Sequence, residues 1–476
     1  MKYEVVMGLE VHIELSTESK LFCSCSAKFG AEANQNVCPA CCGMLGLPPV
    51  VNKRAIELAI AAALVTNSEI TPVMTFDKKN YFYPDLPTGY QITQLFAPIC
   101  KNGWVEIPGG KRINISQIHI EEDAGKLLHD SYNHTSMVDF NRASVPLVEI
   151  VSKPDFRTSD EVIAYLEKLR LLLTFAGVSD CKMQEGSMRC DVNLSVREAG
   201  SDTLGTRTEM KNINSLKAIA RAIEYESGRH IDALETGCEV LVQETRRWDD
   251  DRGVTFSMRE KEAAADYRYF PNAELMPVHI DEDWIARVRD ALPESSEAKF
   301  ERMTGVYGLP EYDSKLISVS RNLSRIFEET LSCFDKPKEV SNWIIGDLLA
   351  AAKVSGVNED DIAIDAGNFA KLMRLVDDGT INRTVAKKLF VKVFEENIDP
   401  EAYVREHNLG MVSDSGQLEQ VVREVLAENE KSVNDYRDGK QKALGFLVGQ
   451  VMKKMAGKAN PQAVNEILLV ELGIRD

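Results

Sequence analysis

The segment from residue 5 to residue 15 is β-rich, and from residue 9 apolar and polar residues alternate, with Leu9, Val11, Ile13 and Leu15 on one side and Glu10, His12 and Glu14 on the other. Side chains two apart share a face of a strand, so the segment predicts a strand with one apolar and one acidic face. Period-two or β-rich stretches recur at 112–120, 137–140, 147–151, 188–196 and 206–211. Helical patterns interrupt them. One helix is predicted at 159–176, opened by the capping box Thr158-Ser159-Asp160-Glu161 and closed by Gly177. A second is predicted at 215–229, and the short Ala-rich run 59–65 reads as a buried helix rather than a membrane span. From Leu292-Pro293 the strand signal stops, and helices are predicted at 318–334, 340–355, 369–378, 382–395, 417–428, 433–455 and 461–472. The expected fold class is α+β, with a mostly antiparallel sheet domain at 1–292, an all-α domain at 293–405 and a small all-α tail at 406–476. The polar break Ser413-Asp414-Ser415-Gly416 lies near the last boundary.

The polar faces of several strands carry the candidate chemistry. Arg189, Asp191, Asn193 and Ser195 lie opposite apolar neighbours, Arg207, Glu209 and Lys211 align, and 118–126 ends in Glu121, Glu122 and Asp123 before Gly125. A carboxylate-rich face suits an oxygen-liking divalent cation, foremost Mg²⁺, which commonly bridges carboxylates to nucleotide phosphates. For any single strand the ordinary alternative is a solvated polar face. His12 is the odd member: it fits a supporting position beside the metal, or Mn²⁺ as the ion.

Cysteine spacing adds a second centre. Cys23 and Cys25 precede Cys38 and Cys41, with Cys42 adjacent as an alternative to Cys41. Two close thiol pairs suit a closed tetrahedral zinc site, which is normally structural; the alternative is a set of small buried thiols. The ten cysteines, without a leader pattern, point to a reducing compartment and a cytoplasmic protein. A net charge of −18 over 476 residues argues against a protein that coats nucleic acid. Between Lys431 and Lys458, however, seven Lys/Arg face two Asp. No phosphate loop, G-x-G-x-x-G turn or nucleophile elbow is present, so any use of ATP is not through a P-loop.

The strings Gly-Leu-Glu-Val-His at 8–12, Lys-Asn-Tyr-Phe-Tyr-Pro-Asp at 79–85, Gln-Ile-Thr-Gln at 91–94, Glu-Glu-Asp-Ala-Gly-Lys at 121–126, Glu-Gly-Ser-Met-Arg-Cys-Asp at 185–191 and Asp-Tyr-Arg-Tyr-Phe-Pro at 266–271 closely resemble the B subunits of aspartyl/glutamyl-tRNA amidotransferases. The likeness spans essentially the whole chain, and the lack of a large insertion favours the three-subunit bacterial or organellar type over the archaeal one. It implies a cradle-like catalytic domain and a ligase that uses ATP to amidate Glu-tRNA(Gln) or Asp-tRNA(Asn). It also implies two protein partners, a glutaminase and a small third subunit, and no membrane. By the same resemblance, Glu10, His12, Glu122 and Glu209 look like the metal cluster, with Glu121 close by. Lys79, Asn80 and Tyr81 resemble residues of the pocket and channel mouth, and Asp191 and Asn193 candidates for orienting nucleotide or metal-bound water. Phe82 reads as core packing. Cys23, Cys25, Cys38 and Cys41 match the zinc-bearing version of the family, and Lys440, Lys442, Lys453, Lys454 and Lys458 fall in what looks like its tRNA-binding tail. Two positions depart from the family pattern: Thr88 stands where Lys is usual, and Ser144 where Gly is usual. If residue 144 needs a positive φ, Ser there carries a strain of roughly 1–2 kcal/mol. The rival reading is a zinc-clipped tRNA scaffold without chemistry of its own.

Overall fold

The computed structural model describes residues 2–130, 134–260, 267–410, 415–437, 440–455, 459 and 461–473. Two compact units divide the chain, Met1–Ser295 and Ser296–Asp476.

The predicted acidic-faced strand, Tyr3–Glu14, stands at the centre of a nine-stranded sheet. On one side lie, in order outward, Met188–Glu198, Thr208–Lys211, Glu244–Asp249 and Val254–Glu260. On the other lie Pro146–Ser152, Arg112–Glu122, Cys100–Glu106 and Glu69–Ile70. Among the described residues every pairing in this sheet is antiparallel except that of Thr208–Lys211 with Glu244–Asp249. A parallel pair needs a crossover, and the helix Leu216–Thr236 supplies it.

Alternation decides which face is buried. Leu9, Val11 and Ile13 are at most 1% exposed and share one core with Ile60, Leu166, Leu169, Ile219 and Ile223 of the helices Lys53–Val65, Ser159–Phe175 and Leu216–Thr236. Each such side chain contributes about 1.5–3 kcal/mol by leaving water. The helices therefore cover the apolar face, and the polar face of Tyr3–Glu14 is left to line a cleft. The Ser159–Phe175 helix starts as its sequence requires: the Thr158 hydroxyl accepts the Glu161 N–H at 3.2 Å. A smaller sheet of Phe270–Pro271, Asp77–Asn80 and Tyr90–Thr93 packs its last strand against Arg112–Glu122.

The second unit is helical throughout its described residues, so the α+β class is as expected. One core gathers around Trp343, Phe369 and Phe390, and a separate one around Leu418, Val422, Val451 and Leu468. Some expected helices are broken. The 340–355 segment is Pro337–Trp343, a π-helical turn Ile344–Leu348, and Leu349–Ser355. The 433–455 run is Glu430–Arg437 and Lys442–Lys454. No described helix is long and apolar enough to cross a membrane.

Candidate active site

Register brings the acidic residues together. Cα pairing aligns His12 with Glu149 and Glu149 with His119, a row across three neighbouring strands. His119 Nε2 lies 2.6 Å from Glu149 Oε2, and His12 Nε2 lies 3.3 Å from Glu121 Oε1 and 3.7 Å from Glu149 Oε2. His12, Glu121 and Glu149 each place one ligand atom within 4.8 Å of the others. One step along the same face, Glu10 pairs with Asp191 and Asn193 with Glu209. Glu10, Asp191 and Glu209 form a second group of the same dimensions.

Neighbours fix these carboxylates. Asn193 Nδ2 donates to Glu10 at 2.9 Å, and the Thr245 hydroxyl donates to Glu209 at 2.9 Å. Lys211 donates to Asp191 and lies 3.3 Å from Glu209. Negative charge dominates the site. Burial alone would lower the pKa of His12, but Glu149, Glu121 and Asp191 push it up to about 9. Burial likewise opposes the charge on Lys79, and Glu121 foremost reverses the effect and holds the pKa above the ordinary lysine range. Carboxylates crowded enough to draw protons onto an imidazole are suited to a divalent cation.

Both groups open into one cleft of about 1170 Å³, which Lys79, Tyr81, Arg189 and Lys211 also line. Lys79 Nζ stands 5.5 Å from the Tyr81 ring centroid and 5.0 Å from that of Tyr267. Asn80 fastens the wall by donating to the Arg268 carbonyl at 2.8 Å, and the Tyr81 hydroxyl donates to Gln91 at 3.3 Å. Arg189 donates to Asp123 at 2.7 Å.

Two expectations change, and one residue is added. Glu122 joins neither group: it follows Glu121 in the same strand, so its side chain takes the opposite face, where its carboxylate accepts the Ile92 N–H at 2.9 Å. Burial there pushes its pKa up to about 7. Glu149 takes the place expected for it. The signal was a lone carboxylate in the otherwise apolar run Pro146-Leu147-Val148-Glu149-Ile150-Val151. Phe82 is not core: it is 90% exposed on the cleft rim.

The four sulfurs of Cys23, Cys25, Cys38 and Cys41 lie within 4.8 Å of one another. Tetrahedral Zn–S bonds of about 2.3 Å need sulfurs just under 4 Å apart, so the set fits one zinc. Hydrogen bonds, from Cys23 foremost and from the Cys38 N–H, hold the Cys41 thiol below its ordinary pKa.

In the tail, Lys442 and Lys453 are exposed, while Lys440 meets Asp435 at 2.7 Å and Lys454 meets Glu424 at 3.0 Å and Glu428 at 2.8 Å. Lys458 lies outside the described residues.

Residues 5–286 match the GatB/GatE catalytic domain and residues 325–472 match the GatB domain, and the chain belongs to this family. At the level of individual proteins it is similar to the B subunit of the aspartyl/glutamyl-tRNA(Asn/Gln) amidotransferase of Lachnoclostridium phytofermentans, with 55% identity over 98% of both chains. The proteins of the same name from Caldicellulosiruptor saccharolyticus and Caldanaerobacter subterraneus subsp. tengcongensis are 52% and 51% identical, over 99% of this chain and 99% and 100% of theirs.

Proposed function

We propose that this chain is the amidotransferase component that activates the side-chain carboxylate of Glu-tRNA(Gln), Asp-tRNA(Asn) or both with ATP and converts it to the amide. The observation that carries this reading is the pair of acidic groups sharing one cleft with Lys79 and Lys211. A carboxylate resists ammonia because it is anionic and its leaving group would be oxide. Transfer of the γ-phosphoryl group breaks the P–O bond to ADP and makes an acyl phosphate. Ammonia then forms the C–N bond as phosphate departs. Mg²⁺, with Mn²⁺ as the alternative, would be held by His12, Glu121 and Glu149 and by Glu10, Asp191 and Glu209, and would supply charge neutralisation at the phosphates.

The chain's own residues set the rest. Lys211, fixed on Asp191 and Glu209, and Lys79 present two cations to the same space, where phosphate charge needs them. Asn193 orients Glu10 by donating to its carboxylate. Asn80 and Tyr81 shape the wall through which ammonia would enter. Ammonia in water is largely protonated and then not nucleophilic, so it would come by a protected path from a glutaminase partner, and a small third subunit would complete a heterotrimer.

Cys23, Cys25, Cys38 and Cys41 would hold a structural zinc that closes its coordination sphere with protein and braces the loop after the Tyr3–Glu14 strand. On this reading the catalytic domain would span 1–292, the helical domain 293–405, and a tRNA-binding tail 406–476. The tail's phosphate contacts would come first from exposed Lys442 and Lys453. Ten free thiols and a tRNA substrate fit the cytoplasm.

The test is Glu10→Ala and Glu149→Ala in the assembled enzyme. Both variants should lose tRNA-dependent ATP hydrolysis and keep tRNA affinity. Hydrolysis retained in both would return the chain to the rival reading of a scaffold.

A further inference from the structure

Lys20 is fully buried, and its surroundings are unusual for a cation. Its Nζ donates to the Phe140 carbonyl oxygen at 3.0 Å and to Cys41 Sγ at 3.6 Å. A buried ammonium needs a counter-charge, and a neutral carbonyl does not supply one. Four thiolates around one divalent ion carry a net charge of −2, also partly out of water. Each charge answers the other. On the reading of the four cysteines as a zinc site, we infer that Lys20 is the charge-balancing partner of that site, holding Cys41 rather than Cys42 as the fourth ligand and tying the site to the cleft wall.

The tie to the cleft runs through backbone. Phe140, whose carbonyl Lys20 holds, leads into Asn141, Arg142 and Ser144. Arg142 Nε donates to the Ala124 carbonyl at 3.0 Å and lies 3.3 Å from Asp123, the residue that Arg189 engages in the cleft. The Ser144 N–H donates to the Asp123 carbonyl at 2.9 Å, and the Ser144 carbonyl accepts the Leu21 N–H at 2.8 Å. The stretch between the two cysteine pairs is sewn to the same segment. Asn34 Nδ2 donates to the Val138 carbonyl at 3.0 Å, and the Asn36 N–H donates to Asn141 at 2.8 Å. On its far side Gly43, at φ +72°, lies so close to the Pro87 carbonyl that a Cβ there would stand 2.6 Å from its oxygen. Lys20 is thus a positioning residue, acting through the zinc site on the segments that frame the cleft.

The test uses the full chain in its assembly, loaded with zinc, and a chromogenic chelator. Lys20→Met keeps length and loses charge, and it should release zinc about 10–100-fold faster than the parent, the usual effect of removing a partner that supports a metal ligand. Lys20→Arg should fall between the two. Equal release rates in parent and Lys20→Met would overturn the inference. If Lys20→Met does not fold, the parent alone decides. Stripping its zinc should make Lys20 reactive to amine-labelling reagents and speed amide exchange over 138–146. If labelling and exchange stay unchanged after stripping, the inference is overturned. Failure of the parent to take up zinc at all is a separate result, which removes the zinc assignment and this inference with it.

Discussion

Glu121 and Glu122 are adjacent in sequence and lie on opposite faces of their strand. A strand turns successive side chains to opposite faces, so only Glu121 reaches the His12 group. Glu149→Gln should therefore lower tRNA-dependent ATP hydrolysis on the order of 100-fold. Glu122→Gln should leave Mn²⁺ affinity unchanged, as titration calorimetry would read it. Weak Mn²⁺ binding in Glu122→Gln would put Glu122 back among the ligands. Ser144 does sit at φ +66°, the conformation that a glycine would take without strain. Ser144→Gly should therefore be more stable than Ser144→Ala by about 1 kcal/mol in denaturant melts, since both lose the hydroxyl and only Ala keeps the strain. Equal stability would show that no strain is stored there. At this scale the sequence was informative wherever period two and charge coincided, as at Glu10, His12, Asp191 and Glu209. It was silent on Glu149, because one charge in an apolar strand has no partner until register supplies His12 and His119.

Elements were legible where an apolar stripe or a cap announced them. The Ser159–Phe175 helix matches its prediction within one residue, because Thr158 and Gly177 punctuate it. The Leu216–Thr236 helix runs seven residues past its predicted end at 229. Its last turns bury two polar residues, Glu226 and His230. Their partners come from two strands and from the helix itself: Thr255 donates to Glu226 at 2.8 Å, Thr208 meets His230 at 2.9 Å, and Arg229 of the same helix donates to Glu226 at 2.6 Å. This network lies under Glu209 and Thr245, whose chain neighbours Thr208 and Glu244 belong to it. Burial raises the pKa of Glu226, but His230 and Arg229 outweigh it and bring it down to about 2, from 4.5. A lowered carboxyl pKa stabilises the fold above the unfolded value, and the contribution is lost as pH falls from 4.5 towards 2. It amounts to roughly 3 kcal/mol. Glu226→Gln should lower stability at neutral pH and flatten the stability–pH curve between 4.5 and 2. Parallel curves for variant and parent would contradict this account. The helices that the sequence merged, 340–355 and 433–455, fail for a different reason: apolar periodicity continues through a π-helical turn and through a short break, and periodicity alone does not mark either.

At the scale of the whole molecule, an acidic chain must still hold an acidic RNA. The proposed division of labour puts chemistry in the sheet unit and tRNA phosphate contacts in the tail. Removing residues 413–476 should weaken Glu-tRNA affinity at moderate salt and leave Mn²⁺ binding in the cleft intact. Unchanged tRNA affinity would move the RNA contact elsewhere. The ion pairs of Lys440 and Lys454 mean that a count of basic residues overstates the tail's free charge, which only the folded helices reveal. The overall α+β plan, by contrast, followed from the change of pattern near residue 292, since strand alternation and helical periodicity rarely mimic each other over long stretches. The central claim is that the side-chain carboxylate is phosphorylated before it is amidated. It is tested most directly with the assembled enzyme, ATP, an ammonia source and Glu-tRNA(Gln) carrying ¹⁸O at both oxygens of the glutamyl side-chain carboxylate. The account predicts one ¹⁸O atom in the inorganic phosphate for each amide formed. Amide formed with ¹⁸O-free phosphate would contradict it.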